Sequence, residues 1–153
     1  MTDRITLANM RFEGRHGYYE HERLAPQPFD VDVELVLDLQ PAGVSDDLAT
    51  TIDYGRVHAI ARRVVESTTF NLIEAIAETI ARDILAEFDV VEVGVRVRKP
   101  AVQLGGPLDY AAVEIWRRRP TGQPGGCPGS AGRSGTGRRA GSRRTPDRPG
   151  RTR

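Results

Sequence analysis

The sequence predicts an α+β fold in which a four-stranded antiparallel sheet carries two helices on one face. Two stretches near the start alternate apolar and polar residues, as strands with one buried face do. Two stretches in the middle repeat apolar residues every three or four positions, as helices do. Two more alternating stretches follow, which gives the order ββααββ. All sheet connections are antiparallel if both helices cover the same face.

The two N-terminal strands differ in regularity. From Phe29 to Leu39 every odd position is apolar and four of the five even positions are acidic, which predicts a long half-buried strand. Residues 4–13 alternate less regularly and are predicted to pair with it. The link over residues 16–28 is longer than a tight hairpin turn, and ordered loops of this kind often hold binding residues.

Each of the two helices is defined by one apolar stripe. Asp53 precedes the first stripe and Asn71 the second, and both residue types are favoured N-caps. The stripes consist of Val57, Ile60, Ala61, Val64 and Val65 in the first helix, and of Ile73, Ile76, Ala77, Ile80, Ile84 and Phe88 in the second.

Two strands complete the predicted sheet. Valines at odd positions 91–97 alternate with polar residues or glycine. Later, Ala111, Val113 and Ile115 alternate with Ala112, Glu114 and Trp116. The helices leave one face of this sheet uncovered. Because the odd-numbered positions of the strands are so apolar, we expect the second, uncovered face to be apolar as well and to help form an oligomer.

The charged residues divide the chain into two unlike parts. Residues 1–119 contain 20 acidic and 14 basic side chains, a net charge of −6, whereas residues 120–153 contain eight Arg and one Asp, a net charge of +7. The second part also contains nine Gly and five Pro but only three apolar residues. It cannot bury enough apolar surface to offset the entropy of ordering. We therefore predict one folded domain over residues 1–119 and a disordered basic tail over residues 120–153.

Composition excludes several classes of protein. The single cysteine, Cys127, excludes a disulfide framework and a thiolate metal cluster. His16, His21 and His58 lack the spacing of zinc ligands, and the chain has no glycine-rich nucleotide motif. We therefore expect no metal and no cofactor. The start lacks the apolar run of a signal peptide and no stretch could span a bilayer, so we expect a cytoplasmic protein without membrane contact.

Lys99 is the most conspicuous candidate for chemistry. Of the 22 basic residues, 21 are Arg, and the one lysine stands at the end of the third strand in phase with its valines. A lysine on the apolar side of a sheet is partly desolvated and suited to proton transfer, whereas arginine keeps its proton in proteins. The alternative is a strand-end cation that extends into solvent.

Three further residues are candidates, and each has an ordinary structural interpretation. Glu74 follows Asn71 by three positions, so it is either a capping-box glutamate or a carboxylate that binds an amidine-like ring edge. Tyr54 is either a packed aromatic or a proton relay. Glu22 would ordinarily be a solvated loop charge.

Short motifs distributed along residues 3–117 carry a family resemblance. They are Arg15-His16-Gly17 with Glu22, Gln27 to Asp32, Ser45 to Leu48, Thr51 to Gly55, Asn71 to Glu74, Ala77 to Ala81, Val97 to Pro100, and Leu108 to Tyr110 with Val113 to Ile115. In this order and at this spacing they resemble the dihydroneopterin aldolase family of folate biosynthesis. The basic tail is not part of that pattern.

The resemblance implies a fold, an assembly and a reaction. The fold is the tunnelling fold, whose sheets join into a ring-shaped barrel, and the assembly is a homo-oligomer, a tetramer or an octamer, with active sites between neighbouring subunits. The reaction splits 7,8-dihydroneopterin into 6-hydroxymethyl-7,8-dihydropterin and glycolaldehyde by retro-aldol cleavage. The N5=C6 imine of the substrate accepts the electrons, so the family needs neither a Schiff base nor a metal.

The resemblance also implies how the pterin is held. Glu74 corresponds to the anchor for the 2-amino and N3–H edge, and main-chain groups of Ile73 and Ile52 help to hold the ring. The sequence departs from the family between Ala101 and Pro107, where a proline-rich segment is common, and this departure leaves substrate details open.

Three catalytic roles follow from the same resemblance. Lys99 corresponds to the general acid/base, Tyr54 to the group that moves a proton to or from the enol-like intermediate, and Glu22 to a loop carboxylate. Glu22 would bind the side-chain hydroxyls of the substrate and tune Lys99. Tyr18 replaces a residue that is often smaller, and it would narrow the site.

Two rival functions are consistent with the residues. The first is an epimerase of dihydroneopterin or its triphosphate, because inverting C2′ can use the same retro-aldol step followed by re-addition. The second is a non-catalytic oligomer that binds a purine or a pterin. The tail could add salt-dependent contacts to nucleic acid, but it has no aromatic residue to stack bases, and we favour a tail without a partner.

Overall fold

The computed structural model describes residues 3–120 of the 153-residue chain, so the tail predicted over residues 120–153 lies outside the described residues except for Pro120. Its sheet is four-stranded and antiparallel in the order β1-β2-β3-β4, as the alternating patterns predict. Short helices occupy the loops of the predicted ββααββ order. The elements are β1 (Arg4–Gly14), α1 (Glu20–Leu24), β2 (Gln27–Val36), α2 (Gln40–Ser45), a 3₁₀ helix (Leu48–Thr50), α3 (Tyr54–Ser67), α4 (Ile73–Glu87), β3 (Glu92–Lys99) and β4 (Ala111–Arg118).

A β-bulge in β1 explains why its pattern is irregular. The register against β2 shifts between Leu7 and Met10, so Ala8 and Asn9 together stand opposite Asp32. Asn9 adopts a left-handed φ of 57°, and its N–H donates to the Asp32 carboxylate. The extra residue moves the core-facing positions from odd numbers before the bulge to even numbers after it. One face of β1 therefore stays apolar along the whole strand although the sequence changes phase.

The helices α3 and α4 cover one face of the sheet with the stripes that the sequence predicts. Asp53 caps α3 as predicted, since its carboxylate accepts the Gly55 N–H at 2.9 Å. The prediction that Asn71 caps α4 is wrong. Leu72 is extended, with φ −126° and ψ 141°, and is itself the N-cap. The side chain of Asn71 therefore comes one residue too early to reach the first helical N–H groups.

The ends of β2 and β3 differ from the alternating pattern. The predicted strand over residues 29–39 is present as β2 but ends at Val36, where the chain turns toward α2. Val91, predicted on the buried face of the third strand, precedes β3 and is 53% exposed. Its N–H still donates to the Val36 carbonyl at 2.9 Å, so Val91 adds one hydrogen bond at the end of the sheet but no side chain to the core.

The face of the sheet that the helices leave uncovered is charged. Asp32 of β2 pairs with Arg98 of β3 at 3.1 Å, and Arg96 donates to the Tyr110 hydroxyl at 2.9 Å. The expectation of an apolar uncovered face is therefore wrong, because the apolar residues of β2 and β3 point toward the helices. Among the helices of residues 3–120, none is long and apolar enough to cross a membrane.

Candidate functional site

A cleft of about 700 Å³ lies at the end of the sheet where β3 finishes. Three segments form its walls: residues 17–27 after β1, residues 71–74 at the start of α4, and residues 99–104 after β3. Four of the residues singled out in the sequence line this cleft together, namely Glu22, Ile73, Glu74 and Lys99.

An ion pair between Lys99 and Glu22 closes the inner side of the cleft. Lys99 ends β3 in phase with Val95 and Val97, as the periodicity predicts, and is only 8% exposed. Its ammonium group donates to Glu22 Oε1, and the other carboxylate oxygen of Glu22 accepts the Tyr19 N–H at 3.3 Å. Glu22 is therefore not the solvated loop charge that its position in the sequence suggested.

The environment of Glu22 favours its ionised form. Burial alone would raise the pKa of the Glu22 carboxyl, but the hydrogen bond from Lys99, the Tyr19 N–H and the positive charge of Lys99 together hold this pKa below its ordinary value of 4.5. The cleft therefore presents a carboxylate and an ammonium in direct contact, a pair through which a proton can be given and taken back.

Gly17 makes room for this ion pair. A Cβ at position 17 would collide with the side chain of Glu22. The carbonyls of Gly17 and Tyr18 accept the Arg23 guanidinium at 2.8 and 2.7 Å, which folds α1 back over the loop. The sequence shows Gly17 as part of a motif but gives no sign of this steric reason for it.

Glu74 and Ile73 form the first turn of α4 on the facing wall. Glu74 is exposed to the cleft, and among residues 3–120 no group donates a hydrogen bond to its carboxylate. Because Leu72 is the N-cap, Glu74 is the second helical residue and not the third, so the capping-box interpretation does not hold. A carboxylate in the first turn is stabilised by the helix dipole and remains free to accept hydrogen bonds from a ligand.

Tyr54 and Ile52 do not reach this cleft. Ile52 is buried and lines a second hollow of about 770 Å³. Phe88 and Val90, which precede the start of β3, line the same hollow. Lys99 is at the opposite end of β3, seven residues after its first residue, and a strand of that length spans roughly 23 Å. Tyr54 begins α3 and is 63% exposed. Within one chain, the six predicted site residues are therefore divided between opposite ends of the sheet.

His16 is a buried polar residue that the sequence marks only as part of the Arg15-His16-Gly17 motif and as a histidine without the spacing of a zinc ligand. It is 1% exposed, and both of its ring nitrogens bond main-chain groups, those of Val65 and Phe70. No group of three His, Cys, Asp or Glu side chains within residues 3–120 is placed to hold a metal ion. A local sequence signal for the role of His16 is absent, because both of its partners lie about 50 residues away in the chain.

Comparison with known proteins assigns the chain to a family. A family model described as dihydroneopterin aldolase (FolB) matches residues 5–116. A dihydroneopterin aldolase of Methylorubrum extorquens is 42% identical over 120 residues, which cover 78% of this chain and 92% of that protein. The chain belongs to the dihydroneopterin aldolase family.

Solved structures of dihydroneopterin aldolases share the fold. The E. coli enzyme in complex with neopterin has a TM-score of 0.71 and 27% identity, over 76% of this chain and 99% of that one. A Burkholderia enzyme bound to guanine has a TM-score of 0.64 and 25% identity, over 76% of this chain and 91% of that one. The tunnelling fold implied by the resemblance is confirmed, whereas the ring assembly stays a prediction.

Proposed function

We propose that this protein is the aldolase of folate biosynthesis that cleaves 7,8-dihydroneopterin into 6-hydroxymethyl-7,8-dihydropterin and glycolaldehyde. The observation that carries the proposal is the part-buried Glu22–Lys99 pair in a cleft whose opposite wall presents the free carboxylate of Glu74. Family membership supports the same reaction.

Glu74 is the proposed anchor of the pterin ring. A carboxylate can accept two parallel hydrogen bonds from the 2-amino group and N3–H of a pterin. Guanine offers an equivalent edge, and relatives of this chain bind neopterin or guanine. The main chain of Ile73, which is next to Glu74 at the start of α4, would hold the ring from the same wall.

The Glu22–Lys99 pair is the proposed acid/base machinery. The C2′ hydroxyl gives up its proton, the C1′–C2′ bond breaks, and glycolaldehyde leaves. The electrons of that bond move into the N5=C6 imine of the ring, and the resulting enol-like intermediate is then protonated at C1′. Lys99 exchanges the protons while Glu22 holds its ammonium group and binds the side-chain hydroxyls. The substrate supplies its own electron sink, so no metal or cofactor takes part in this proposal.

The remaining two residues would come from a second copy of the chain. Tyr54 and Ile52 lie too far from Lys99 to meet one pterin within a single subunit. In a ring-shaped homo-oligomer, the exposed Tyr54 of one subunit can face the cleft of its neighbour. There Tyr54 would move the proton at C1′, and the Ile52 main chain would hold the outer edge of the ring. The proposed assembly is a tetramer or an octamer.

Product analysis tests the proposed reaction. Purified protein is mixed with 7,8-dihydroneopterin and a chelator, and glycolaldehyde is measured together with the pterin products. We expect both cleavage products in equal amounts and an unchanged rate in the chelator. If the C2′ epimer accumulates and glycolaldehyde is absent, the aldolase proposal is wrong.

A further inference from the structure

The buried ring of His16 lies directly behind the cleft. It packs edge-on to Phe29 and stacks on Phe70, with ring centroids 5.2 and 5.9 Å away. None of the proposed binding or proton-transfer steps uses this residue. A polar side chain with 1% exposure nevertheless needs hydrogen bonds for all of its polar atoms, and its two bonds determine its chemical form.

The two hydrogen bonds fix the tautomer of His16. The Phe70 N–H donates to Nδ1 at 2.9 Å, so Nδ1 has a free lone pair and carries no proton. The proton is therefore on Nε2, which donates to the Val65 carbonyl at 2.7 Å. The ring is neutral in this arrangement. A protonated ring would turn both nitrogens into donors and lose the bond to Phe70.

These bonds tie the two walls of the cleft together. The Gly17 N–H donates to the Phe70 carbonyl at 2.9 Å, so residues 16 and 17 hold both main-chain groups of Phe70. Phe70 stands four residues before Glu74 on one wall. Gly17 stands on the other wall, in contact with Glu22. Phe70 thus links the segment that leads to Glu74 with the segment that contacts the Glu22–Lys99 pair.

The surroundings of His16 keep it neutral. Burial lowers the pKa of His16 below its ordinary value of 6.5, the positive charge of Lys99 on β3 lowers it further, and the bond to Val65 opposes both effects. Glu22 on α1 neutralises part of the Lys99 charge. The other elements around the ring contribute Phe29, Val65 and Phe70, which do not titrate.

We propose that His16 is a positioning residue, whose neutral ring holds Glu74 at the correct separation from the Glu22–Lys99 pair through its bond to the Phe70 N–H. The inference rests on the proposed function, because it concerns the same pterin. Protonation of His16 breaks the bond to Phe70, releases the start of α4 and weakens pterin binding, while the Glu22–Lys99 pair stays in place.

Two substitutions test the two hydrogen bonds of the His16 ring independently of each other. Asparagine places a carbonyl oxygen near the position of Nδ1, so His16→Asn retains an acceptor for the Phe70 N–H. Glutamine reaches the position of Nε2, so His16→Gln retains only the donor to Val65. Both variants are first checked for folding by circular dichroism. Neopterin affinity is then measured by calorimetry, and turnover of 7,8-dihydroneopterin is measured at saturation.

The expected result is a difference between the variants in affinity and not in saturating rate. We expect His16→Asn to bind neopterin within about threefold of the unmodified protein, and His16→Gln to bind about tenfold or more weakly, with saturating rates within about threefold of each other. Equal affinities in two folded variants would overturn the inference. If the unmodified protein neither binds neopterin nor releases glycolaldehyde, the proposed function itself has failed.

A pH titration tests the same inference without relying on either variant. The ring protonation of His16 is followed by nitrogen NMR while neopterin affinity is measured over the same pH range. Affinity should fall about tenfold as the ring becomes protonated, and this step should be missing from His16→Asn. An affinity that stays constant through the titration of His16 would overturn the inference.

Discussion

The two ends of the sheet hold their functional candidates in different ways. At the Lys99 end, the ammonium is paired with Glu22, and His16 behind it has two main-chain partners. At the other end, Tyr54 is 63% exposed, and Asp53 beside it only caps its own helix. The first end is preorganised within one chain, whereas the second presents a side chain outward. In the proposed oligomer, the outward side chain of one copy would complete the preorganised cleft of the next.

Replacing Lys99 is expected to cause the largest loss of activity. Lys99→Ala removes the proton donor and acceptor, so kcat should fall roughly 10²- to 10⁴-fold with neopterin affinity largely kept. Lys99→Arg is the sharper variant, because arginine can still pair with Glu22 but cannot release a proton. Stopped-flow turnover and calorimetry measure the two quantities. Near-full activity in either variant contradicts the assignment of Lys99.

Mixing two inactive variants tests whether the two ends meet across subunits. Lys99→Ala and Tyr54→Ala are each expected to be nearly inactive as pure oligomers. Subunit exchange in a mixture places an intact cleft next to an intact Tyr54 at some interfaces, so a substantial fraction of the original activity should return. The measurement is glycolaldehyde release before and after unfolding and refolding the two proteins together. If the refolded mixture has only the sum of the activities of the two pure variants, the site is not shared between subunits.

Replacing Glu74 should affect binding more than chemistry. Glu74→Gln places an amide N–H₂ opposite the 2-amino group of the pterin and removes the charge. The lost charge-assisted hydrogen bonds correspond to about 1.5–3 kcal/mol, or roughly 10- to 150-fold in neopterin affinity. Glu78→Gln, one turn later on the exposed side of α4, is the matched control and should bind normally. Equal affinities in the two variants would rule out Glu74 as the anchor.

The smallest expected effect comes from the glycine that makes room for the ion pair. Gly17→Ala should cost about 1–3 kcal/mol of unfolding free energy, because its new methyl group collides with Glu22. Gly43→Ala in α2 is the control, since a Cβ there has no neighbour within 4 Å. Denaturant unfolding of both variants gives the comparison. Equal stability would mean that α1 and Glu22 adjust freely to the added methyl group.

The sequence predicted elements and residues whose signals are local. The strict alternation along β3 was enough to place Lys99 on the buried face, and the apolar stripes located α3 and α4. The pairing of Lys99 with Glu22 joins residues 77 positions apart, and only the family resemblance suggested it. A bulge such as that at Asn9 is set by a partner strand, so the pattern showed it only as a loss of regularity.

The features that the sequence did not reveal depend on contacts between distant segments. The role of His16 depends on contacts between the end of β1, α3 and the loop before α4. The spacing of residues within any one of these segments does not indicate it. The requirement for glycine at position 17 exists only once α1 folds back and brings Glu22 against the loop. The misplaced cap of α4 has a similar origin, because the conformation of Leu72 and not the identity of Asn71 decides where the helix begins.

The ion pair of Lys99 has a consequence for chemical labelling. Lys99 is the one lysine among 153 residues, so it is the single lysine side chain that an amine-directed reagent can modify. A side chain that is 8% exposed and bound to a carboxylate reacts slowly, and a pterin in the cleft would shield it further. The acylation rate of a single nitrogen, followed by mass spectrometry, thus reports directly on how much of the cleft is occupied.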